Sequence, residues 1–584
     1  MRVLLLDPSD TFSGDLCATT WDLIVDLARA PLSTHQRWAR EASCPAISLY
    51  QFAEEIEDLH ALKRLLDLGL GVLVDRLGID WWDITSLMVA PDVAEGMLAR
   101  RLAKQLHSGV QLFCSRPNRI ARTLQNLLGC ELVAFQGSKL RYAGRRLKHY
   151  GQVISRFEGH ELRQIAWDKF DSTHSIRRWL APRPGGTGSP LVLLPSAYAN
   201  VSQTAVSYAA MLPDQEFLLV CARESGELQG LPPNVGSIPL ASYYSPLNAE
   251  ELGLLVEKWE GLRKTLIGAA VEFRLADAVG ALNRVPALLR WGAAIRDKWL
   301  RVYDVENIVS CLSADDSNPY TRVPLILAGL RGLPAIACHH GALDARMAFK
   351  QHRADIYLAK GEMEKDYMLR VCRVAPEKVV LGAPASAARS QPSRVADVQT
   401  KPWMVFFSEP YEVVSWRSDE IYKELLPRLS ALAADLGLKL VVKLHPFESA
   451  KSHRRYLERF LSREERQRIE LRLEPFSPDL WHGIRFALTV ESTVAMECAG
   501  RGVPVFFCAW LRDAWTGYVG QYERFGVGQA LNSPDEIIQI PEMLSSYGVS
   551  FRGPRLTNAI TVTALRAVLS GSQRGEVTEK LEAK

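Results

Sequence analysis

Residues 487–507 read ALTVESTVAMECAGRGVPVFF. The stretch opens on a short apolar run and passes through a polar turn at Glu491, Ser492 and Thr493. It then continues at helical spacing to a glycine stop and closes on a second apolar run. Strand, tight turn, helix and strand in such quick succession form a parallel crossover. Runs apolar on both faces further require helices on both sides of the sheet. This segment therefore predicts a parallel α/β layer.

The same alternation extends outward through the last third of the chain. WMVFFSEP, LKLVVKLHP, RFALTV and VPVFFCAW read as strands. SDEIYKELLPRLSALAADLG reads as a helix with a Ser-Asp start, an internal proline and a Gly stop, and ESAKSHRRYLERFLSREERQRIE as a charged helix. In the middle third PLVLLPSA, EFLLVCAR, ENIVSCLSA, LPAIACHH, ADIYLAKG and EKVVLGAP are short strands with helical patterns between most of them. The first third carries three expected strands, MRVLLLD, GLGVLVDRLGIDWWDI and GVQLFCSR. GLGVLV lacks the third glycine of a dinucleotide fingerprint.

Two segments rich in Pro, Gly, Ser and charge, APRPGGTGSP and ASAARSQPSRVADVQTKPW, separate these regions. The expected organisation is an α/β accessory domain over residues 1–180, doubly wound domains over 190–387 and 402–570, and a polar tail over 571–584. Two consecutive doubly wound domains would face each other across a cleft, with ligands at the carboxyl ends of the strands.

The 584 residues are too many for one core and suggest three or four folding units at about 150 residues each. A net charge of +4 is too mild to argue for a nucleic-acid partner. The densest basic stretch, KLRYAGRRLKHY at residues 139–150, reads as a hairpin. Its lysines and arginines either block edge pairing or contact phosphate, acidic glycan or anionic lipid. Ten cysteines without a C-x-x-C pair argue against a zinc ribbon and for a reducing compartment. With no leader-like start and no long uncharged apolar window, a cytoplasmic location is expected, including peripheral contact with the inner membrane. The sequence carries no D-x-D triplet, no P-loop and no G-x-S-x-G elbow, so metal, NTPase and serine-hydrolase chemistries lack a motif.

Chemistry concentrates where the strands end. In VVKLHPFES, His445 stands at a strand tip, and Pro446 prevents the ladder from continuing. An imidazole there can donate to a phosphate or cap a carbonyl. Ser492 and Thr493 fall at the start of a helix, where hydroxyls cap free N–H groups and anions are favoured. The two segments are expected on adjacent strands. FFSEP repeats the device with Ser408 and Glu409 at the same rim, and Glu497 is either a solvated helix residue or a ribose partner.

The combination FFSEP…KLHPFES…EST, with AGRGVPVFF following, resembles GT-B glycosyltransferases. It is most similar to the bacterial CMP-sugar-dependent sialyl- and Kdo-transferases of capsule and lipopolysaccharide synthesis. The wider superfamily includes CDP-glycerol polymerases and UDP-N-acetylglucosamine 2-epimerases. The resemblance implies that His445, Pro446, Ser492 and Thr493 hold the donor phosphate; Ser408, Glu409 and Glu497, by their place at the same rim, are the expected nucleotide contacts.

In AIACHHGALDARMAF, His339-His340-Gly341 looks like the His-Gly motif of the CDP-glycerol polymerases. That likeness implies His340 as general base with His339 beside it and Asp344 as orienter. Asp316, in SADDSNPYTRVPL with Asp315 and Asn318, is the second choice of base, and ordinary turn chemistry explains that loop equally. The implied activity is a metal-independent, inverting transfer from a nucleotide-sugar donor, CMP-linked by resemblance, to a surface glycan or glycolipid acceptor. No cofactor is expected. A nucleotide-sugar 2-epimerase and a non-catalytic glycan-assembly scaffold are the alternatives.

Overall fold

A computed structural model describes residues 1–8, 10–107, 109–134, 188–243, 245, 247–341, 343, 345–385, 402–411, 416–445, 448–474, 476–511, 518–550 and 557–572. The basic stretch at 139–150 and most of both linker segments lie outside the described residues. So do Asp344, Pro446 and nearly all of the expected tail. The chain forms two compact units, each assembled from separated segments. One comprises Met1–Ile56, Ala94–Arg156 and Ser390–Pro554; the other comprises Glu57–Val93, Phe157–Arg389 and Arg555–Lys584. Among the described residues no helix is long and apolar enough to cross a membrane.

The first unit contains two parallel sheets. One consists of β1 (Arg2–Leu6), β2 (Leu23–Asp26), β3 (Ala46–Ser48), β4 (Gln111–Cys114) and β5 (Glu131–Ala134), in the order β3-β2-β1-β4-β5. The side-chain period of two divides each strand between two cores. Val3, Leu5 and Val25 pack on one face with Leu98 and Leu102, whereas Leu4, Leu6 and Ile24 pack on the other with Trp21 and Trp38.

The second unit holds β6 (Leu191–Ser196), β7 (Glu216–Cys221), β8 (Val235–Pro239), β9 (Ile308–Ser313), β10 (Ala335–Cys338), β11 (Ile356–Ala359) and β12 (Val379–Leu381). These seven strands are parallel in the order β12-β11-β10-β9-β6-β7-β8.

The remaining sheet of the first unit is made of β13 (Trp403–Phe407), β14 (Lys439–Lys443), β15 (Ile469–Arg472), β16 (Ile484–Thr489), β17 (Val505–Cys508) and β18 (Gln529–Leu531). Its order is β15-β14-β13-β16-β17-β18. In all three sheets the chain winds outward from the first strand, returns, and continues on its other side. That is the Rossmann-like order, and its reversal point opens a crevice at the carboxyl ends of the first and fourth strands. The α/β, doubly wound class expected for the middle and last thirds is present, and the N-terminal part is α/β as expected.

Five helices matter below: α1 (Leu32–Ala42), α2 (Trp81–Gln105), α3 (Ala249–Ala269), α4 (Val285–Val305) and α5 (Ser418–Asp435). They are followed by α6 (Ala450–Phe460) and α7 (Val494–Gly500). The AGRG segment does stop α7: Gly502 takes φ +69°, and the N–H groups of Gly502 and Val503 return to the Ala499 and Cys498 carbonyls.

Several expectations are corrected. GLGVLVDRLGIDWWDI is a turn leading into α2, with only a bridge between Val74 and Asp80. Asp75 accepts from the N–H groups of Leu77 and Ile79 and from Trp81 Nε1, which closes the loop and buries Leu73 and Ile79 without a ladder. The long charged helix is broken at Ser462, where a reciprocal capping box with Glu465 restarts it. The helix Val562–Ser570, expected with residues 402–570, packs Leu565, Val568 and Leu569 on the second unit's sheet. Likewise Glu57–Val93 belongs to the second unit although it lies within residues 1–180.

Inside the second unit, Arg296 of α4 is a buried junction. Its guanidinium donates to Asp75 Oδ2 at 2.7 Å, Glu251 Oε2 at 2.8 Å and Asp297 Oδ1 at 2.7 Å, with 1% of its side chain exposed. Breaking a buried ion pair from one side strands the other charges, at a cost of roughly 3–5 kcal/mol. Arg296→Met is therefore expected to lower the thermal midpoint by about 5–8 °C. A calorimetric midpoint within a degree or two of wild type would show that the cluster contributes little.

Candidate active site

The reversal point of the third sheet lies between β13 and β16, and each strand delivers a short polar loop there. β13 runs into Ser408 and Glu409, β16 into Glu491 and Ser492. β14, the other neighbour of β13, runs into His445. The His445 and Ser492 segments are thus not on adjacent strands. They flank β13, so their strands lie about 10 Å apart, twice the interstrand spacing.

The loop after β13 ties the two sides together. Ser408 N–H donates to Lys443 O at 2.9 Å, and Ser408 Oγ donates to Glu448 Oε1 at 2.8 Å. On the other side, Glu409 Oε1 accepts from Glu491 N–H at 2.8 Å and lies 3.2 Å from Thr489 Oγ1. Ser408 is buried at 4% exposure, so both residues brace the rim loops. Burial, with the nearby Glu448 carboxylate, pushes the Glu409 carboxyl up to about 7.

Three residues that motif reading passed over organise this rim. Glu448 Oε2 accepts the His445 N–H at 2.8 Å, while its Oε1 accepts from Tyr422 Oη at 3.1 Å. Tyr422 Oη also lies 2.8 Å from His453 Nε2 and contacts Ser408 Oγ. The spacing of Glu448 in HPFES, three residues after the histidine, is a local signal. Tyr422 and His453 sit within helical patterns and give none.

His445 is half-buried. Its imidazole is held below the ordinary range by burial, with Lys443 acting in the same direction and the Glu448 carboxylate opposing. Ser492 Oγ accepts from Val494 N–H at 3.4 Å, a long contact, and Ser492 N–H donates to Thr489 Oγ1 at 3.3 Å. Thr493 is exposed and provides no side-chain cap. Its expected capping role is therefore corrected. Glu497 is exposed and pairs with Arg501 at 3.0 Å, one helical turn on.

At the second unit's sheet, the loops after β9 and β10 carry the other expected residues. His339 and His340 stack with ring centroids 4.9 Å apart. His339 Nδ1 accepts from Gly341 N–H at 3.4 Å. His340 Nδ1 lies 3.3 Å from Ala314 O, which fixes Nδ1 as the protonated nitrogen and leaves Nε2 with its lone pair. Burial, helped by His339, lowers the His340 pKa to about 4, so the ring is neutral near pH 7.

Asp315 accepts from Ser317 N–H at 2.8 Å and from Asn318 Nδ2, which is turn chemistry. Burial would raise its carboxyl, but His339, Ser317 and His340 hold it below the ordinary value. Asp316 is 2% exposed and is enclosed by Lys350, by Arg322 at 3.6 Å and by Tyr357 Oη at 3.4 Å. Burial drops Lys350 to about 8. Among the described residues no group of three His, Cys, Asp or Glu side chains is arranged to hold a metal ion.

No protein-family model matches the chain, and no curated protein matches it. Solved structures with a similar course include a UDP-GlcNAc 2-epimerase from Neisseria meningitidis bound to UDP-GlcNAc, 12% identical over 68% of this chain and 100% of that one, with a TM-score of 0.38. The wall teichoic acid polymerase TagF is 10% identical over 75% of this chain and 99% of its own, with a TM-score of 0.37. A glycosyltransferase from Rickettsia africae is 11% identical over 68% and 99%, also at 0.37. The fold class rests on the strand orders above, to which likenesses of this size add nothing.

Proposed function

We propose that the chain is a glycosyltransferase of the GT-B type. In this reading the third sheet binds a nucleotide-activated sugar, CMP-linked in the first instance, and the second unit's sheet receives a glycan or glycolipid acceptor. Transfer is direct, inverting and independent of metal and cofactor. His445, Ser492 and Thr493 take the donor phosphate. Glu409 and Ser408 set the loops around it, and Glu497 lies on the helix that follows.

His340 is the base that removes the acceptor hydroxyl proton as the nucleophile attacks. Its Nε2 lone pair suits that task, whereas Asp316 is engaged by Lys350 and Arg322. Fixed donors would stabilise the charge that develops on the leaving phosphate.

One observation carries the reading. The loops after β13, β14 and β16 form a single hydrogen-bonded rim at the reversal point of a doubly wound sheet, with His445 on one side and Ser492 on the other.

A thermal-shift panel of CMP, CDP, UDP and GDP on the full chain tests it. CMP at about 100 times its Kd should stabilise the protein by about 2.7 kcal/mol. No shift with any nucleotide would favour a glycan-binding scaffold instead. UDP-GlcNAc converted to its 2-epimer without an acceptor would replace transfer by epimerisation.

A further inference from the structure

The N-terminal sheet has the same strand order and therefore the same crevice, at the carboxyl ends of β1 and β4. Arg417, the residue just before α5, fills the space at the ends of β1 and β2. Its Nη2 donates to Asp26 Oδ1 at 2.7 Å, and its Nε to the same carboxylate at 2.9 Å. Its Nη1 reaches Asp10 O at 2.7 Å, and its Nη2 also reaches Asp7 O at 3.0 Å, with longer contacts to Leu6 O and Pro8 O. The guanidinium lies 5.1 Å from the centre of the Trp38 ring. Asp26 is fully buried and is also contacted by His35 Nε2 at 3.2 Å. This set of a carboxylate, strand-end carbonyls and an aromatic face recognises a guanidinium as a binding site would.

The attachment continues along α5. Arg417 N–H donates to Arg29 O at 2.7 Å, and Trp416 bridges to Arg29. From α1, Arg37 Nη2 donates to Glu420 Oε1 at 2.9 Å, Thr34 Oγ1 contacts Glu420 and Ser33 Oγ contacts Glu424. Five residues beyond Arg417 in the chain, the same helix presents Tyr422 to Ser408, Glu448 and His453.

We propose that the first sheet is a ligand-binding fold whose ligand is built into the chain. The carboxyl ends of its β1 and β2, beside the β1–β4 reversal point, hold the Arg417 guanidinium in place of a free molecule and thereby position α5 and the Tyr422 hydroxyl at the rim of the third sheet. Arg417 is a positioning residue, Asp26 is its anchor, and the N-terminal sheet binds no nucleotide of its own. This inference goes beyond the donor-site reading and does not need it.

Hydrogen exchange on the full chain tests the proposal, because it reads order at the rim without any nucleotide. In Arg417→Ala, amides of residues 418–426 and 448–456 should exchange about tenfold or more faster than in wild type. Guanidinium chloride at tens of millimolar should reverse most of the change, whereas urea at the same concentration should not. Should that variant fail to fold, Asp26→Asn keeps the volume, and the same segments should loosen. Faster exchange confined to residues 2–48, equal effects of guanidinium and urea, or unchanged α5 exchange in Asp26→Asn would each overturn the proposal. So would a nucleotide found to protect residues 7–26 in the wild-type chain.

Discussion

His445→Ala is expected to weaken nucleotide-sugar binding by about 10- to 100-fold, the loss of one charge-assisted hydrogen bond of roughly 1.5–3 kcal/mol, and to abolish most turnover. The backbone of residue 445 remains held by Glu448 Oε2 in the variant, so the loop keeps its course and the loss reports the imidazole alone. There is a pH signature. Burial keeps this imidazole below its ordinary range, hence neutral near pH 7 in the free protein. An anionic phosphate beside it favours the charged form, so binding takes up a proton and donor affinity rises as pH falls. Titration calorimetry in buffers of different ionisation enthalpy should detect that uptake in wild type and not in His445→Ala. Unchanged affinity and turnover in the variant would remove His445 from the phosphate site.

His340→Ala should leave donor affinity as it is and lower kcat by about 10²- to 10⁴-fold, the span of general-base catalysis. The geometry gives the sign of its pH dependence. Nδ1 faces Ala314 O, and burial lowers the pKa to about 4, so the basic form already predominates throughout the neutral range. The acid limb attributable to this group should therefore appear only as the pH approaches about 4, not near the ordinary value for histidine. Single-turnover rates with saturating donor separate this from binding. Lost donor affinity with intact turnover would refute the role as base and place His340 in binding.

How much of this could be read from the sequence depends on distance along the chain. Strands and helices of the middle and last thirds are legible because their signals are local: apolar runs such as VVK and FFC, closed by Gly, Pro or a cap. The N-terminal sheet is harder. β2 is LIVD and β3 is AIS, too short to stand out, while a longer apolar run, GLGVLV, belongs to a loop held by Asp75. At the rim, residues at strand ends were legible because a strand end is itself a local event. Tyr422, His453 and Arg417 were not, since their partners come from other elements. Arg417 and Asp26 stand 391 positions apart, and nothing near either one announces the other.

The weaving of both compact units from distant segments has a consequence for biosynthesis. The second unit takes Glu57–Val93 from early in the chain and Arg555–Lys584 from its end, and the first unit takes its third sheet from Ser390–Pro554. Until Leu565, Val568 and Leu569 leave the ribosome, the part of one face of the second unit's sheet that they cover, beside Val201, Ala205 and Tyr208, stays exposed, although its strands have been translated long before. Domains that mature strictly from the N-terminus onward avoid such an interval of exposed apolar surface. This chain cannot, so its nascent form should depend on holding chaperones until the helix Val562–Ser570 has emerged.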